Sequence, residues 1–164
     1  MFKNHKKQLY NILLILSRNI FFYKKIGLSD SFETRVYLMF FHFSILMIIS
    51  KKKGSKFNQE SYDYFFHNIE YNLRELGFGD VSVNKKMKEL NKILYDILLK
   101  LDDKKLKNDT FKINHDLVSK YFYILKNAKS NKFIEFNRYF SIFFHFCFEL
   151  PLDNMIEELE NFKY

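Results

Sequence analysis

Four titratable residues at helical spacing are the first candidates for chemistry in this 164-residue chain. They follow one another at intervals of four, three and four positions, as Asp63, His67, Glu70 and Arg74. A helix would place all four along one polar flank. Di-iron bundles use Glu-x-x-His motifs from two helices with further carboxylates, whereas this sequence has a single His-x-x-Glu and no second copy. We therefore interpret the four residues as an ion-pair ladder or a partner-binding flank.

The only cysteine, Cys147, follows His145 by two positions. A Cys/His metal site needs more ligands and none stands near these two, so we predict a buried structural thiol. The sequence also lacks a phosphate-binding glycine loop and a Ser/His/Asp or Cys/His catalytic set. The two glycines of LRELGFGD are too close together and are flanked by predicted helices, which is unlike a Rossmann loop. These patterns predict no catalytic residue, no metal and no cofactor.

The elements that position these residues are predicted to be helices. Apolar residues recur with a period near 3.6, and the chain has only four glycines and one proline to interrupt them. We predict an all-α fold, a single-domain bundle over residues 1–164 with about six antiparallel helices plus a short C-terminal helix. The predicted helices cover about residues 6–23, Asp30 to Ser50, 59–76, Asp80 or Ser82 to Leu101, 113–128, 131–148 and 153–162.

Capping residues mark several of the predicted ends. Asp30 and Glu33 have the spacing of a capping box that opens the second helix. Gly77 is a natural C-cap for the third helix, which then forms a hairpin with the fourth through a tight Gly-Phe-Gly turn. Residues 102–110 are polar and separate the fourth helix from the fifth, and Pro151 ends the sixth.

Two apolar stretches imitate targeting or membrane segments. The first, Leu9 to Leu16, follows a basic start but is not followed by a small-residue cleavage site, so we favour an amphipathic helix over a signal peptide. The second, Val36 to Ile49, would span roughly 21 Å as a helix and has fewer than the roughly 20 residues that a bilayer core requires. A central helix surrounded by others explains it. We expect a cytoplasmic protein that is soluble or peripheral at the inner membrane.

Positive charge is concentrated in the first third of the chain. Residues 1–56 hold eleven Lys and Arg against two acidic residues, a net charge of +9, whereas residues 57–164 hold sixteen against seventeen, a net charge of −1. This asymmetry predicts either a docking surface for phosphates or lipid headgroups, or a merely solvated face. The candidate basic docking surface consists of Lys24, Lys25, Lys51, Lys52, Lys53 and Lys56.

One segment, LRELGFGDVSVNKKMK, resembles the signature of the ubiquinol-cytochrome c chaperone family, which has Leu-Arg-Glu, a Gly-x-Gly-Asp turn, a Val and a Lys-x-Met-Lys helix start. The matching residues are Leu73, Arg74, Glu75, Gly77, Gly79, Asp80, Val83, Lys85 or Lys86, Met87 and Lys88. A second segment, FFYKKIGLSDSFETRVYLMFFH, is similar to the family's Tyr, Gly turn, Asp, aromatic and Arg pattern before an apolar helix with a His. Its matching residues are Tyr23, Gly27, Asp30, Phe32, Glu33, Arg35 and His42. The resemblance is strongest over residues 8–100.

The resemblance implies a helical, non-enzymatic assembly chaperone that holds newly made cytochrome b of ubiquinol-cytochrome c reductase, respiratory complex III, near the ribosome and the membrane. The implied partners are cytochrome b, the ribosome and a second assembly factor, with no DNA. The implied partner-binding residues are Tyr23, Asp30, Arg35, Glu70, Arg74, Glu75, Gly77, Gly79, Asp80, Lys85 and Lys88. The sequence departs from the family pattern at Asn68, where an acidic residue is common, and at Asp96 and Ile97, where a Gly-Arg pair is usual.

Two other functions remain open. A generic basic helical protein that associates with the ribosome or RNA would lose all its binding on RNase treatment. An all-α enzyme with a haem or di-iron site would be coloured or metal-bearing when purified.

Overall fold

Seven α-helices, joined by short 3-10 and π-helical turns, make up the chain in the computed structural model, which describes residues 2–101 and 111–164. These residues are 78% helical and contain no strand, so the predicted all-α bundle is confirmed. The predicted polar stretch at 102–110 lies outside the described residues. The helices are α1 Phe2–Ser17, α2 Phe32–Lys52, α3 Gln59–Glu75, α4 Asp80–Leu101, α5 His115–Tyr121, α6 Asn131–Glu149 and α7 Met155–Glu158.

The second helix is the centre of the bundle. α2 packs against α1, α4 and α6, and α1 also packs against α3. By length and hydropathy alone α2 could cross a membrane, but 72% of its most apolar stretch is buried inside the bundle. Ion pairing of Lys25 with Glu135 and a hydrogen bond from Lys53 to the Leu150 carbonyl join corresponding ends of α2 and α6, so these two neighbours run parallel.

The first helix is shorter than predicted. It ends at Ser17, whose Oγ donates to the Leu14 carbonyl at 2.7 Å, and not near residue 23. A π-helical turn, Phe21–Lys25, follows and buries both Phe21 and Phe22. The prediction was wrong here because the apolar spacing continues in sequence while the chain changes direction to place two consecutive aromatic rings in the core.

The N-terminus of α2 is capped by a residue other than the one predicted. The Ser31 Oγ accepts from the Thr34 backbone N–H at 3.2 Å, so the Asp30 and Glu33 capping box was a wrong prediction. The carboxylates of Asp30 and Glu33 pair with basic side chains instead. Asp30 pairs with Arg35, which lies one turn into the helix.

The predicted hairpin between α3 and α4 is present. Gly77 has φ +97°, the left-handed conformation that terminates many helices, and the Phe78 N–H donates to the Leu73 carbonyl at 3.2 Å. Asp80 is the first residue of α4, so Ser82 lies inside the first turn and is not the residue before the helix. α3 buries Phe65, Phe66, Ile69 and Leu73, and α4 buries Val83, Leu90, Leu94, Ile97 and Leu101, whereas Tyr62 and Met87 are half-buried and Leu76 is exposed.

The predictions were least accurate after α4. The fifth helix covers only His115–Tyr121, because Phe122 adopts φ −129° and ψ 89°, and a 3-10 turn, Tyr123–Leu125, follows. Phe122 and Leu125 are both buried, and this change of direction carries both of them into the core. The C-terminal acidic segment is likewise broken, with 3-10 turns on both sides of α7. Predicted helix six agrees with α6 to within one residue.

A buried polar pair lies in the aromatic core. The His42 Nε2 is 2.8 Å from the Tyr139 hydroxyl, and its Nδ1 is 2.6 Å from the Leu38 carbonyl. Both residues are fully buried, as is Cys147, which agrees with the predicted structural thiol. Burial lowers the pKa of His42 to about 4, so the imidazole is neutral at physiological pH.

Candidate functional site

The two sequence segments that carry the resemblance meet at a groove between α1, α2 and the C-terminal end of α3. Arg35 comes from the first segment, and Glu75 and Leu76 come from the second. The groove has a volume of about 230 Å³ and is partly open to solvent. Its lining residues are Tyr10, Leu14, Arg18, Phe32, Arg35, Val36, Met39, Ile69, Asn72, Glu75 and Leu76.

Polar side chains surround an apolar floor in this groove. The Asn72 amide donates to the Tyr10 hydroxyl at 2.5 Å, which links α3 to α1. On the α2 side, Arg35 pairs with Asp30 at 3.0 Å, and this ion pair is solvent-accessible. The groove can therefore bury apolar side chains on its floor while its rim offers guanidinium groups for acidic or carbonyl groups.

Tyr23 fixes the turn that leads to the groove. Its hydroxyl donates to the Ser17 carbonyl at 2.6 Å, at the end of α1. Burial, and then the negative charge of Asp30, raise the pKa of Tyr23, while the charges of Arg35 and Arg18 oppose that rise. The phenol therefore stays protonated and keeps its hydrogen bond. Both of these arginines line the groove.

The predicted ladder on α3 contains an ion pair at one end. Arg74 pairs with Glu70 at 3.1 Å and also with Asp80, the first residue of α4. Asp63 instead accepts from Gln59 at 2.9 Å, and His67 is exposed. Hydrogen bonds from Arg74 to Asp80 and then Glu70 raise the pKa of Arg74. This network spans the Gly77 to Gly79 turn from the outside and sets the geometry of the hairpin.

The hairpin turn also presents apolar side chains to solvent. Leu76 is 58% exposed, Phe78 is 38% exposed and Val81 is 86% exposed. Leu76 also lines the groove, so the exposed apolar side chains of the turn begin at the edge of the groove. A surface of this kind on a folded protein indicates a binding site for an apolar partner. We call these three residues the hairpin tip.

The remaining motif residues lie in α4 and in the turn before it. Lys85 and Lys88 are exposed on α4, outside the groove. Lys86 approaches Glu33 at 3.8 Å and so connects the start of α4 to the start of α2. The carbonyl of Gly79 accepts from the Val83 N–H at 2.9 Å, in the first turn of α4. The motif residues thus divide into groove residues, hairpin-bracing residues and exposed lysines.

The six predicted docking lysines lie in two groups at opposite ends of α2, a helix about 30 Å long. Lys24 and Lys25 are in the π-helical turn before it, and the other four are at or beyond its C-terminal end. Lys53 is engaged inside the protein, since it donates to the Leu150 carbonyl and lies 5.3 Å from the centre of the Phe148 ring. The six lysines therefore do not form one continuous surface.

Sequence reasoning missed three polar groove residues and one half-buried link between helices. Tyr10, Arg18 and Asn72 lie outside the matching motif positions, and only the packing of α1 against α3 brings them to the groove. Asp96, which departs from the family pattern, receives hydrogen bonds from Lys120 and Tyr121 and so ties α4 to α5. Burial raises the pKa of Asp96, but hydrogen bonds from Lys100, Tyr121 and Lys120 outweigh it and hold this pKa well below its usual range.

Within the part of the chain that the structure describes, no three His, Cys, Asp or Glu side chains are grouped so that they could hold a metal ion. The arrangement at the groove is that of a binding surface, with an apolar floor, a charged rim that carries Arg18, Arg35 and Glu75, and an exposed apolar tip.

Comparison with known proteins is consistent with this geometry. The sequence model of the ubiquinol-cytochrome C chaperone family matches residues 24–123, which include α2, α3, α4, α5 and the whole hairpin. No curated protein and no solved structure matches the chain. The family match covers more than half of the chain and contains both motif segments apart from residues 21–23. The chain belongs to the ubiquinol-cytochrome c chaperone family.

Proposed function

We propose that this protein is a non-enzymatic assembly chaperone for newly made cytochrome b of ubiquinol-cytochrome c reductase, and that the groove and the hairpin tip are its client-binding site. The observation that carries the proposal is the convergence of the two motif segments, residues 21–42 and 73–88, on one partly apolar groove. Family membership supports a chaperone role in the assembly of that complex.

The chemistry of the site suits a client that has not yet reached its final apolar surroundings. A membrane protein exposes apolar side chains before it is inserted, and the groove floor and the hairpin tip can cover them. The rim adds Arg18 and Arg35, which can bind carboxylates or the free carbonyls at a helix C-terminus. A partly open groove also favours release, because the client must leave once it is assembled.

The ribosome and a second assembly factor are further proposed partners. The exposed Lys85 and Lys88 of α4 point to a surface that the client groove does not use. Their charges suit ribosomal RNA or an acidic protein. Contact at the ribosome would place the groove beside the client as it is made.

Deletion of the gene tests the proposed function. We expect the amount of assembled ubiquinol-cytochrome c reductase to fall and cytochrome b to become short-lived, while other respiratory complexes stay near their normal levels. Affinity purification of a tagged copy should recover cytochrome b, and RNase treatment should leave that recovery unchanged. Normal reductase levels in a clean deletion would exclude the proposed function, and recovery that depends entirely on RNA would favour a general RNA-associated protein.

A further inference from the structure

Five lysines surround the 3-10 turn Tyr123–Leu125, beside the start of α2. The segment 121–134 contains three of them, Lys126, Lys129 and Lys132, and no acidic residue. The turn and the start of α6 pack beside Gly27, since a Cβ at that position would lie 3.2 Å from the Lys132 Nζ and 3.4 Å from the Ile124 Cδ1. Lys24 and Lys25 immediately precede Ile26 and Gly27, so both groups of lysines meet at one end of the molecule.

Little of this positive charge is neutralised by neighbouring carboxylates. Lys25 pairs with Glu135 at 3.4 Å, but Glu135 is shared with Arg138. Lys126 lies 5.1 Å from the centre of the Tyr123 ring and donates to its hydroxyl at 3.4 Å. These contacts are with a neutral aromatic side chain, so they do not neutralise the charge of Lys126.

Two apolar side chains project from the centre of this charge. Tyr123 is 77% exposed and Ile124 is 42% exposed. The same 3-10 turn buries Leu125, so the chain is anchored in the core while its two preceding side chains face outward. An aromatic and an aliphatic side chain within a group of lysines is the composition found where proteins meet the membrane–water interface.

We propose that this surface, formed by Lys24, Lys25 and residues 123–132, docks the protein onto anionic phospholipid. The lysines bind headgroup phosphates, and Tyr123 and Ile124 enter the boundary between the headgroups and the acyl chains. RNA carries the same phosphate charge, but binding to RNA would not bury the exposed Ile124 side chain. The surface is separate from the client groove and uses none of its lining residues.

Flotation of the full-length protein with lipid vesicles tests this proposal. Vesicles of phosphatidylcholine with about a third phosphatidylglycerol should bind the protein at low salt and bind it less at physiological salt. The variant K126Q/K129Q/K132Q should bind roughly a hundredfold more weakly at low salt, given the contribution of each lysine near an anionic surface. The variant Y123S/I124S should weaken binding severalfold at both salt concentrations, because the contacts that it removes are apolar.

A matched control is available at the far end of α2. The variant K51Q/K52Q/K56Q removes the same amount of charge and should keep nearly full vesicle binding, with all variants folded by circular dichroism. Equal loss in this control would overturn the proposal, since total charge alone would then explain binding. So would equal binding of the wild type to pure phosphatidylcholine, or loss of RNA binding in K126Q/K129Q/K132Q without loss of vesicle binding.

Discussion

The pairing of His42 with Tyr139 shows that a residue of the family pattern can stabilise the core and take no part in the candidate site. His42 matches a position of the family pattern, yet its side chain is buried at the centre of the bundle and contacts Leu38 and Tyr139. Arg35, seven positions earlier, reaches the groove rim. The two residues lie on the same helix, so motif membership alone does not separate a core residue from a binding residue. The burial and the contacts of each side chain make that distinction.

The buried imidazole predicts a pH dependence of stability. The pKa of His42 is lowered to about 4 in the folded protein, compared with about 6.5 in the unfolded chain, so the unfolded state binds more protons between these values. Stability from this group is complete above pH 6.5 and declines as pH falls toward 4. We expect it to lower the free energy of unfolding by about 2 kcal/mol at pH 5 relative to pH 7.

Urea unfolding at both pH values measures this effect. The variant His42→Gln provides the control, because other groups titrate alike in both proteins. Its free energy of unfolding should fall less between pH 7 and pH 5 than that of the wild type. An identical fall in the two proteins would contradict the assignment to His42.

Substitutions of two leucines near the C-terminal end of α3 should separate an effect on stability from an effect on client binding. Leu73 is fully buried, so Leu73→Ala should lower the free energy of unfolding by about 2–5 kcal/mol. Leu76 is exposed at the hairpin tip, so Leu76→Ala should change stability by less than about 0.5 kcal/mol but reduce the recovery of client. Denaturant unfolding and affinity purification measure the two effects. Full client recovery by Leu76→Ala would argue against the hairpin tip as a binding surface.

At the scale of elements, the apolar periodicity and the capping residues correctly predicted the helices whose ends depend on local sequence. α3, α4 and α6 agree closely with the prediction, because each has a wide apolar stripe and a clear boundary such as Gly77 or Pro151. The turns at 18–25 and 122–125 were missed, because the burial of Phe22 and Phe122 against other helices decides them. The groove was missed for the same reason, since Tyr10 and Asn72 are 62 residues apart.

Substitutions at the glycines of the hairpin turn test whether local sequence determines where α3 ends. Gly77 has φ +97°, so Gly77→Ala should lower the free energy of unfolding by about 1–2 kcal/mol. Gly79 does not have positive φ, and a Cβ there meets nothing within 4 Å, so Gly79→Ala should be nearly neutral. Chemical denaturation of both variants measures the difference. Equal stability losses would show that the turn is not controlled by the left-handed residue.

At the scale of the whole molecule, the chain presents distinct surfaces around one core. The groove and hairpin tip lie between α1, α2, α3 and the start of α4, while the surface proposed for lipid lies at the turn before α6. Of the charges in residues 1–56, those of Lys24, Lys25, Lys51, Lys52, Lys53 and Lys56 lie at opposite ends of α2 and do not form one face. A chaperone arranged in this way can hold a client and a membrane at the same time, because neither surface covers the other.

Site-specific crosslinking tests the central claim most directly. A photo-crosslinking amino acid placed at Phe78, in the hairpin tip, should capture newly made cytochrome b during a short radioactive pulse, and the adduct should decline during the chase as assembly proceeds. The same probe at Ile142, an equally exposed residue on α6, is the matched control and should capture little. Capture of cytochrome b at Phe78 and not at Ile142 is the predicted result. Absence of a cytochrome b adduct at Phe78, with the protein folded and expressed at its normal level, would contradict the account.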